Sequence, residues 1–180
     1  MPIKRLIQSS LSGGCNEDER VLRKPAVIVK EIDNKVEMII QDLRDTIWAY
    51  PICRGLSANQ IGYPFAITVV NLSHDTHEND LILINPCIEK ISGKKEKKIE
   101  SCMSLWGKQG EVERRDKVQI RYYNVNMEEH LINASGMMSR ILQHEIDHLN
   151  GILYVDKLVP GKKLEKACFF DDYQIIDSNK

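Results

Sequence analysis

The sequence lacks several features that would place it in a special class of protein. No apolar run approaches the roughly 18 residues that a membrane-spanning helix needs, and the N-terminus has no long apolar segment typical of a secretory signal. There is no internal repeat. The net charge is -1, from 25 basic and 26 acidic side chains, so the bulk charge indicates neither DNA nor a membrane surface as a partner.

The spacing of the cysteines shows no pairing pattern. The five cysteines are irregularly spaced, and no C-x-x-C pair occurs. An odd number in a chain of 180 residues argues against a disulfide framework and favours a reducing, cytoplasmic compartment. We expect four of these thiols to be small buried hydrophobic side chains: Cys15, Cys53, Cys87 and Cys168.

Length and composition predict one globular domain over residues 1–180. The chain is 42% hydrophobic and 28% charged, which is ordinary for such a domain. We expect a loop-rich N-terminal segment over residues 1–20 and a C-terminal tail or short helix over residues 161–180. The lysine-rich SGKKEKK at 92–98 is expected to be a solvated loop or hairpin tip.

The apolar pattern changes its period along the chain. A helix is predicted from Asp33 to Tyr50, closed by Pro51, because apolar residues recur there every three or four positions. A second helix is predicted from Gly136 to a C-terminal Gly151. Short β-branched or alternating runs predict strands at 65–70, 81–85, 117–125 and 130–136. This arrangement predicts an α+β fold with mainly antiparallel sheets packed around a central helix.

The stretch QHEIDHLNG, residues 143–151, lies on the second predicted helix. Residues four apart share a helix face, so His144 and His148 can bind one metal ion while Glu145 beside them handles a proton. The alternative is a polar helix with two surface histidines. No histidine follows His148, and Glu165 is the only later glutamate, so a metalloprotease would lack a third ligand. A thiolate from elsewhere would complete the site.

Three motifs give the chain a resemblance to peptide deformylases. GLSANQIG (55–62), ESCMS (100–104) and QHEIDHLNG (143–151) occur in the order and approximate spacing of that family's motifs. The resemblance covers residues 15–160. It implies a peptide-deformylase-like fold with a metal-binding central helix, and one divalent metal ion held by Cys102, His144 and His148. It also implies Fe(II) in the cell, with Zn, Ni or Co possible in preparations.

The resemblance further assigns the catalytic groups. Glu145 would be the general base and acid, while Gln60 and the backbone N–H of Met103 would donate hydrogen bonds to the formyl oxygen. The implied enzyme is a formyl-methionyl peptide amidohydrolase. It would act on the N-formyl group of the N-terminal methionine of formyl peptides or of nascent proteins, with the ribosome as the expected place of contact.

The first two motifs depart from the usual family pattern. Cys53 and Ser101 replace glycines, Arg54 replaces an apolar residue and Ser57 replaces an alanine. Trp106 stands near a position often held by a smaller residue or proline. Substrate contacts are expected at Arg54, Gly55, Ser101 and Trp106. These departures leave two alternatives open: a related hydrolase with a different N-formyl or N-acyl substrate, and a catalytically silent relative that keeps the metal.

Overall fold

The structure, a computed structural model, describes residues 3–10 and 17–168. These residues form helices α1 (Glu17–Arg23), α2 (Asn34–Ala49) and α3 (Gly136–Leu149), and strands β1 (Gly55–Ser57), β2 (Ile67–Val70), β3 (Leu81–Ser101), β4 (Lys108–Tyr123), β5 (Glu129–Ser135) and β6 (Glu165–Lys166). The strands pair antiparallel in the order β1-β2-β3-β4-β5, with β6 beside β4. The predicted α+β fold is confirmed. No helix in the described part of the chain is long and apolar enough to cross a membrane.

Helix α2 forms where the apolar stripe predicted it. The Asp33 side chain caps its first turn by accepting a hydrogen bond from the Val36 N–H over 2.8 Å, and the helix ends before Pro51. The stripe is buried and belongs to the largest core cluster, which also contains apolar residues of β1 and β2: Val36, Ile39, Ile40, Leu43, Ile47, Leu56, Ile67 and Val69. Burying this stripe places α2 against the β1–β2 edge of the sheet.

Strands β3 and β4 form one long hairpin, and the predicted loop at 92–98 is wrong. That stretch lies inside β3 and pairs with β4 from Lys95 opposite Arg115 to Lys98 opposite Val112. Its lysines are exposed, as expected, and Lys95 bonds Glu113 across the hairpin over 2.6 Å. The backbone ladder and such cross-strand pairs compensate for the low strand preference of lysine. The hairpin turn follows Ser101, so it carries Cys102.

Helix α3 packs against the sheet and ends where predicted. Asn150 caps it, and Gly151 follows with φ 73°. A Cβ atom at Gly151 would lie 2.2 Å from the Arg23 carbonyl oxygen, so only glycine fits between α3 and the end of α1. Leu142 and Ile146 join the apolar cluster beneath β2 to β5. This packing fixes the rotation of the helix, and with it the direction of its histidines.

Other local expectations have mixed outcomes. Helix α1 begins at Glu17, inside the segment predicted to be loop-rich. The predicted C-terminal tail or short helix contains no α-helix over residues 161–168, where Glu165–Lys166 forms a strand; the rest of it lies outside the described residues. Cys53 is buried as expected, whereas Cys87 and Cys168 are exposed. Cys15 lies outside the described residues.

The buried carboxylate of Asp80 ties the segment before β3 to α2. It accepts hydrogen bonds from Asn71 over 2.8 Å, from Arg44 over 2.8 Å and from the Trp48 indole over 3.2 Å. Burial raises the pKa of Asp80, but the bonds from Asn71 and Arg44 outweigh burial and hold it below its usual value of 3.8. A carboxyl group with a lowered pKa stabilises the fold above that pH, and this contribution is lost as the pH falls through the lowered value.

We therefore expect Asp80→Asn to lower the free energy of unfolding by about 1–2 kcal/mol at neutral pH, because it removes the buried charge to which Asn71, Arg44 and Trp48 donate. The difference from the unchanged protein should shrink as the pH falls below 3.8. Urea unfolding followed by tryptophan fluorescence measures both effects. Glu78→Gln, at an exposed position of the same segment, is the control and should change little. A difference that does not vary with pH would contradict the role of the Asp80 charge.

Candidate metal centre

Three potential metal ligands from two distant parts of the chain converge at the hairpin turn. Cys102 Sγ lies 3.1 Å from His148 Nε2, which lies 3.2 Å from His144 Nε2. The three ligand atoms all lie within 4.8 Å of one another. Cys102 and His148 are buried, and the His144 side chain is 11% exposed. The predicted i, i+4 geometry brings both imidazoles to one side of α3, facing the cysteine.

A buried carboxylate orients one of the imidazoles. Glu100 Oε2 lies 3.1 Å from His144 Nδ1, which leaves Nε2 free to face Cys102. Arg114 bonds both oxygens of Glu100 over 2.7 and 3.0 Å, and Arg140 bonds Oε1 over 2.6 Å. A carboxylate that accepts the second N–H of a metal-ligating histidine fixes the tautomer and the ring direction. Glu100 thus prepares the Nε2 atom of His144 as a ligand.

Asp147 supports this network from the outer side. The Asp147 carboxylate forms salt bridges with Arg114 and with Lys157, each over 2.7 Å, and Asp147 is 7% exposed. An acidic residue at this position of the helix could contact an imidazole, pair with an arginine or point to solvent. The structure shows the pairing with Arg114, while Glu100 takes the contact with the imidazole.

The charges around the cluster favour a cation at its centre. Burial lowers the pKa of His144, but hydrogen bonds with Cys102 and Glu100 outweigh burial and raise it well above 6.5. Burial, together with the positive charge of His144, lowers the pKa of His148 well below 6.5. Positive charge is therefore stabilised between Cys102 and Glu100, while His148 stays neutral and able to coordinate.

This donor set fits a divalent transition metal. One thiolate and two imidazoles are ligands that such ions accept, and three protein ligands leave a further position for water or substrate, as in catalytic sites. The Cys102 sulfur also accepts weak hydrogen bonds from the Ser104 N–H and from Gln60 Nε2, each over 3.4 Å.

Glu145 lies beside the ligands in a buried position. The Ser57 hydroxyl donates to its Oε2 atom over 2.7 Å. Burial raises the pKa of Glu145 above 4.5, against the lowering effects of the His144 charge and of the Ser57 bond. A carboxylate with a raised pKa is a better proton acceptor near neutral pH than an exposed one.

Gln60 and Met103 present donors on the other side of Cys102. Gln60 follows β1 in a short 3₁₀ helix, Ala58–Ile61, where its Oε1 accepts the Ser57 N–H over 2.8 Å. This bond turns Nε2 toward Cys102 and toward Ser104 Oγ, 3.2 Å away. Among the described residues, no hydrogen-bond acceptor is found for the Met103 N–H. Both predicted oxyanion donors therefore lie within the same small region as Cys102.

A cavity of about 190 Å³ opens on this cluster. Its walls include Arg54, Gly55 and Ser101, three of the four predicted substrate contacts, together with Glu145 and His144. Its apolar lining consists of Ile52, Ile99, Met103, Met137 and Ile141. Arg54 is half-buried and donates to the Pro51 carbonyl over 2.7 Å. The cavity can therefore bring a small apolar group next to the metal ligands.

Trp106 is the exception among the predicted substrate contacts. It is absent from the cavity wall and packs against the α2 core, with its ring 5.8 Å from that of Tyr50. Its predicted substrate contact has no support in this arrangement, because the hairpin turn directs the indole toward the core and away from the cavity.

Sequence reasoning missed Glu100, Arg140 and Ser104. Glu100 stands two positions before Cys102 in the quoted motif, and the need of a ligating histidine for an acceptor was a usable signal. Arg140 lies four positions before His144 and could have been placed on the same helix face. Ser104 gave no signal, because its contact with Gln60 depends on how two loops approach each other.

The chain is similar to known proteins over most of its length. The sequence model of the family described as polypeptide deformylase matches residues 15–164. The chain is 44% identical over 137 residues to the peptide deformylase of Carboxydothermus hydrogenoformans, covering 76% of this chain and 86% of that protein. It is 31% identical over 165 residues to that of Pelagibacter ubique, covering 91% and 94%.

Solved structures show the same similarity. A crystal structure of the peptide deformylase from Plasmodium falciparum superposes with a TM-score of 0.78 at 34% identity, covering 87% of each chain. The peptide deformylase from Synechococcus elongatus in complex with actinonin gives a TM-score of 0.76 at 34% identity, covering 89% of this chain and 81% of the other.

Proposed function

Because the chain belongs to the polypeptide deformylase family, we propose that the cluster of Cys102, His144 and His148 is its catalytic metal site. The protein is a metal-dependent hydrolase that removes the N-formyl group from formylated peptides, a step of N-terminal methionine processing in protein biosynthesis. The residue assignment is carried by the convergence of one sulfur and two ring nitrogens beside the buried Glu145 carboxylate.

We assign the chemical steps to groups around this cluster. A divalent ion held there would lower the pKa of a water molecule and so supply a nucleophile near neutral pH. Glu145 accepts the proton of the attacking water and passes it to the amine nitrogen that leaves. Gln60 Nε2 and the Met103 N–H donate to the formyl oxygen as negative charge develops there, each contributing about 3 kcal/mol.

Substrate binding is proposed along the cavity wall. The backbone at Gly55 and Ser101 borders the space next to Glu145 and the ligands, where a peptide main chain would lie. The apolar lining suits the side chain of a methionine, with Met137 and Ile99 at the exposed rim. Arg54 offers a cation at the cavity for an acidic group of the substrate.

We propose Fe(II) as the metal in the cell. One sulfur and two nitrogens suit iron, zinc, cobalt and nickel alike, so the donor set alone does not choose among them. The family resemblance supports iron, which oxidation removes and zinc replaces during preparation. We also propose a cytoplasmic catalytic domain over residues 1–180 that meets its substrates as nascent chains at the ribosome.

The proposed function predicts a specific reaction of the purified protein. Prepared without oxygen, it should contain about one divalent metal ion per chain and release formate from a formyl-methionyl peptide. The matched acetyl-methionyl peptide should be hydrolysed far more slowly, because its methyl group needs extra space next to Gln60 and Met103. Metal analysis and a formate assay measure both properties. If the metal is bound but no formate appears, the proposed reaction is wrong. If another N-acyl peptide is hydrolysed faster than the formyl-methionyl peptide, that peptide class replaces formyl-methionyl peptides as the proposed substrate.

A further inference from the structure

Strand β1 contacts the Glu145 carboxylate with its last residue, Ser57. The hydroxyl of Ser57 lies 2.7 Å from Glu145 Oε2 and 3.1 Å from the Glu145 carbonyl oxygen. Ser57 is completely buried and Glu145 is 3% exposed. A hydroxyl donor in a buried site restricts rotation of the carboxylate, because breaking the bond would leave a charged oxygen without a partner.

The first residue of the same strand closes the other side of the carboxylate. A Cβ atom added at Gly55 would lie 2.6 Å from Glu145 Oε1 and 2.9 Å from its Cδ. Because Gly55 has no side chain, the Glu145 carboxylate can lie directly against this position of β1. The Glu145 carboxylate therefore lies between Gly55 on one side and the Ser57 hydroxyl, which donates to it, on the other.

Ser57 also contacts the second catalytic side chain, through its backbone. Its N–H donates to Gln60 Oε1 over 2.8 Å, and Gln60 Nε2 in turn points to Cys102 Sγ and Ser104 Oγ. One residue is thus bonded to the proposed proton acceptor by its side chain and to the proposed oxyanion donor by its main chain. Only the first of these bonds depends on the serine side chain.

We propose that Ser57 is a positioning residue for deformylation, whose hydroxyl holds the Glu145 carboxylate in the direction required for proton transfer. The proposal rests on the function proposed for Glu145. It gives a role to one departure from the usual motifs: serine in place of alanine adds a hydrogen bond to the catalytic acid–base group. Ser57 does not line the substrate cavity, so its effect should fall on the chemical step.

The test compares Ser57→Ala with Ser57→Thr and Thr68→Val, all at equal metal content. Thr68 pairs with Ser57 across β1 and β2, is completely buried, and its hydroxyl bonds the Leu56 carbonyl over 3.0 Å, away from Glu145. We expect Ser57→Ala to lower kcat about tenfold, the size typical for a lost hydrogen bond to a charged group, with KM changed by less than about twofold. Ser57→Thr should restore most of kcat, and Thr68→Val should leave it unchanged.

Several results would overturn the positioning role. One is a Ser57→Ala kcat within about twofold of the unchanged enzyme. A second is an equal loss in Thr68→Val, which would assign the effect to any buried hydroxyl. A third is a Ser57→Thr kcat as low as that of the alanine variant.

A measurement independent of catalysis examines the contact itself. The shifts of the urea midpoint in Ser57→Ala and in Glu145→Ala should not add in the double variant, because both single changes remove the same bond. If the unchanged protein releases formate but the two shifts are additive, the positioning role of Ser57 is wrong while the proposed function stands. Absence of formate release from the unchanged, metal-loaded protein would overturn the proposed function and, with it, this role.

Discussion

Glu145→Ala should lower kcat for formate release by about 10²–10⁴, because it removes the group that accepts and returns the proton. Metal content should not change, since the side chains of Cys102, His144 and His148 are untouched and Glu145 is not part of the ligand cluster. The expected result is therefore a metal-loaded, folded protein with almost no turnover. Metal analysis, circular dichroism and the formate assay on one preparation measure the three properties.

Two variants separate this prediction from its alternatives. Glu145→Gln keeps the volume and can still accept the Ser57 hydrogen bond, but an amide cannot take a proton, so it should be as inactive as the alanine variant. Glu113→Ala, on β4 and paired with Lys95, should retain full activity. If Glu145→Ala keeps both its metal and its kcat, the acid–base role is wrong, and another group must move the proton.

Glu100→Ala should give the largest loss of stability, a decrease in the free energy of unfolding of about 3–5 kcal/mol. Glu100 holds Arg114 and Arg140 in the protein interior, and removing it leaves two buried guanidinium groups without their main partner. Burial raises the pKa of Glu100, but the bonds from His144 and Arg114 outweigh it and hold the pKa well below 4.5, so the carboxylate is charged at neutral pH. Urea unfolding of the metal-loaded proteins measures the loss.

The same change should also weaken metal binding by about 10–100-fold, because His144 loses the acceptor that directs its Nε2. Competition with a chromophoric chelator measures the affinity. Glu113→Ala again serves as control, because its ion pair with Lys95 is largely exposed to solvent and its removal should change stability little. A stability loss of that small size in Glu100→Ala would show that the arginines find other partners.

Local sequence patterns predicted those parts of the structure that depend on near neighbours. The stripe from Val36 to Ile47 and the spacing of His144 and His148 follow from helix periodicity, and α2 and α3 were found where expected. Cys102 could be selected only through the resemblance, because nothing local distinguishes it from the other four cysteines. Its meeting with the two histidines depends on contacts across more than 40 positions, which no local pattern encodes.

The failures have the same physical origin. Residues 92–98 lack the alternation of a half-buried strand because this part of β3 has no buried face, and only its ladder with β4 makes it a strand. Trp106 was assigned by its position in a motif, but its ring direction is set by packing against Tyr50, which lies far away in sequence. Glu100 and Arg114 meet for similar reasons across the hairpin.

The placement of Cys102 at the tip of the β3–β4 hairpin, 46 positions before His148, has a consequence for the order of assembly. Before the hairpin forms and α3 packs against the sheet, the sulfur and the imidazoles are separate, weak ligands, and the chain cannot bind an ion tightly. The ion therefore binds tightly only to the finished fold and draws the folding equilibrium toward it by mass action. In a cell short of metal, the newly made chain would therefore have a lower folding stability as well as a lower activity.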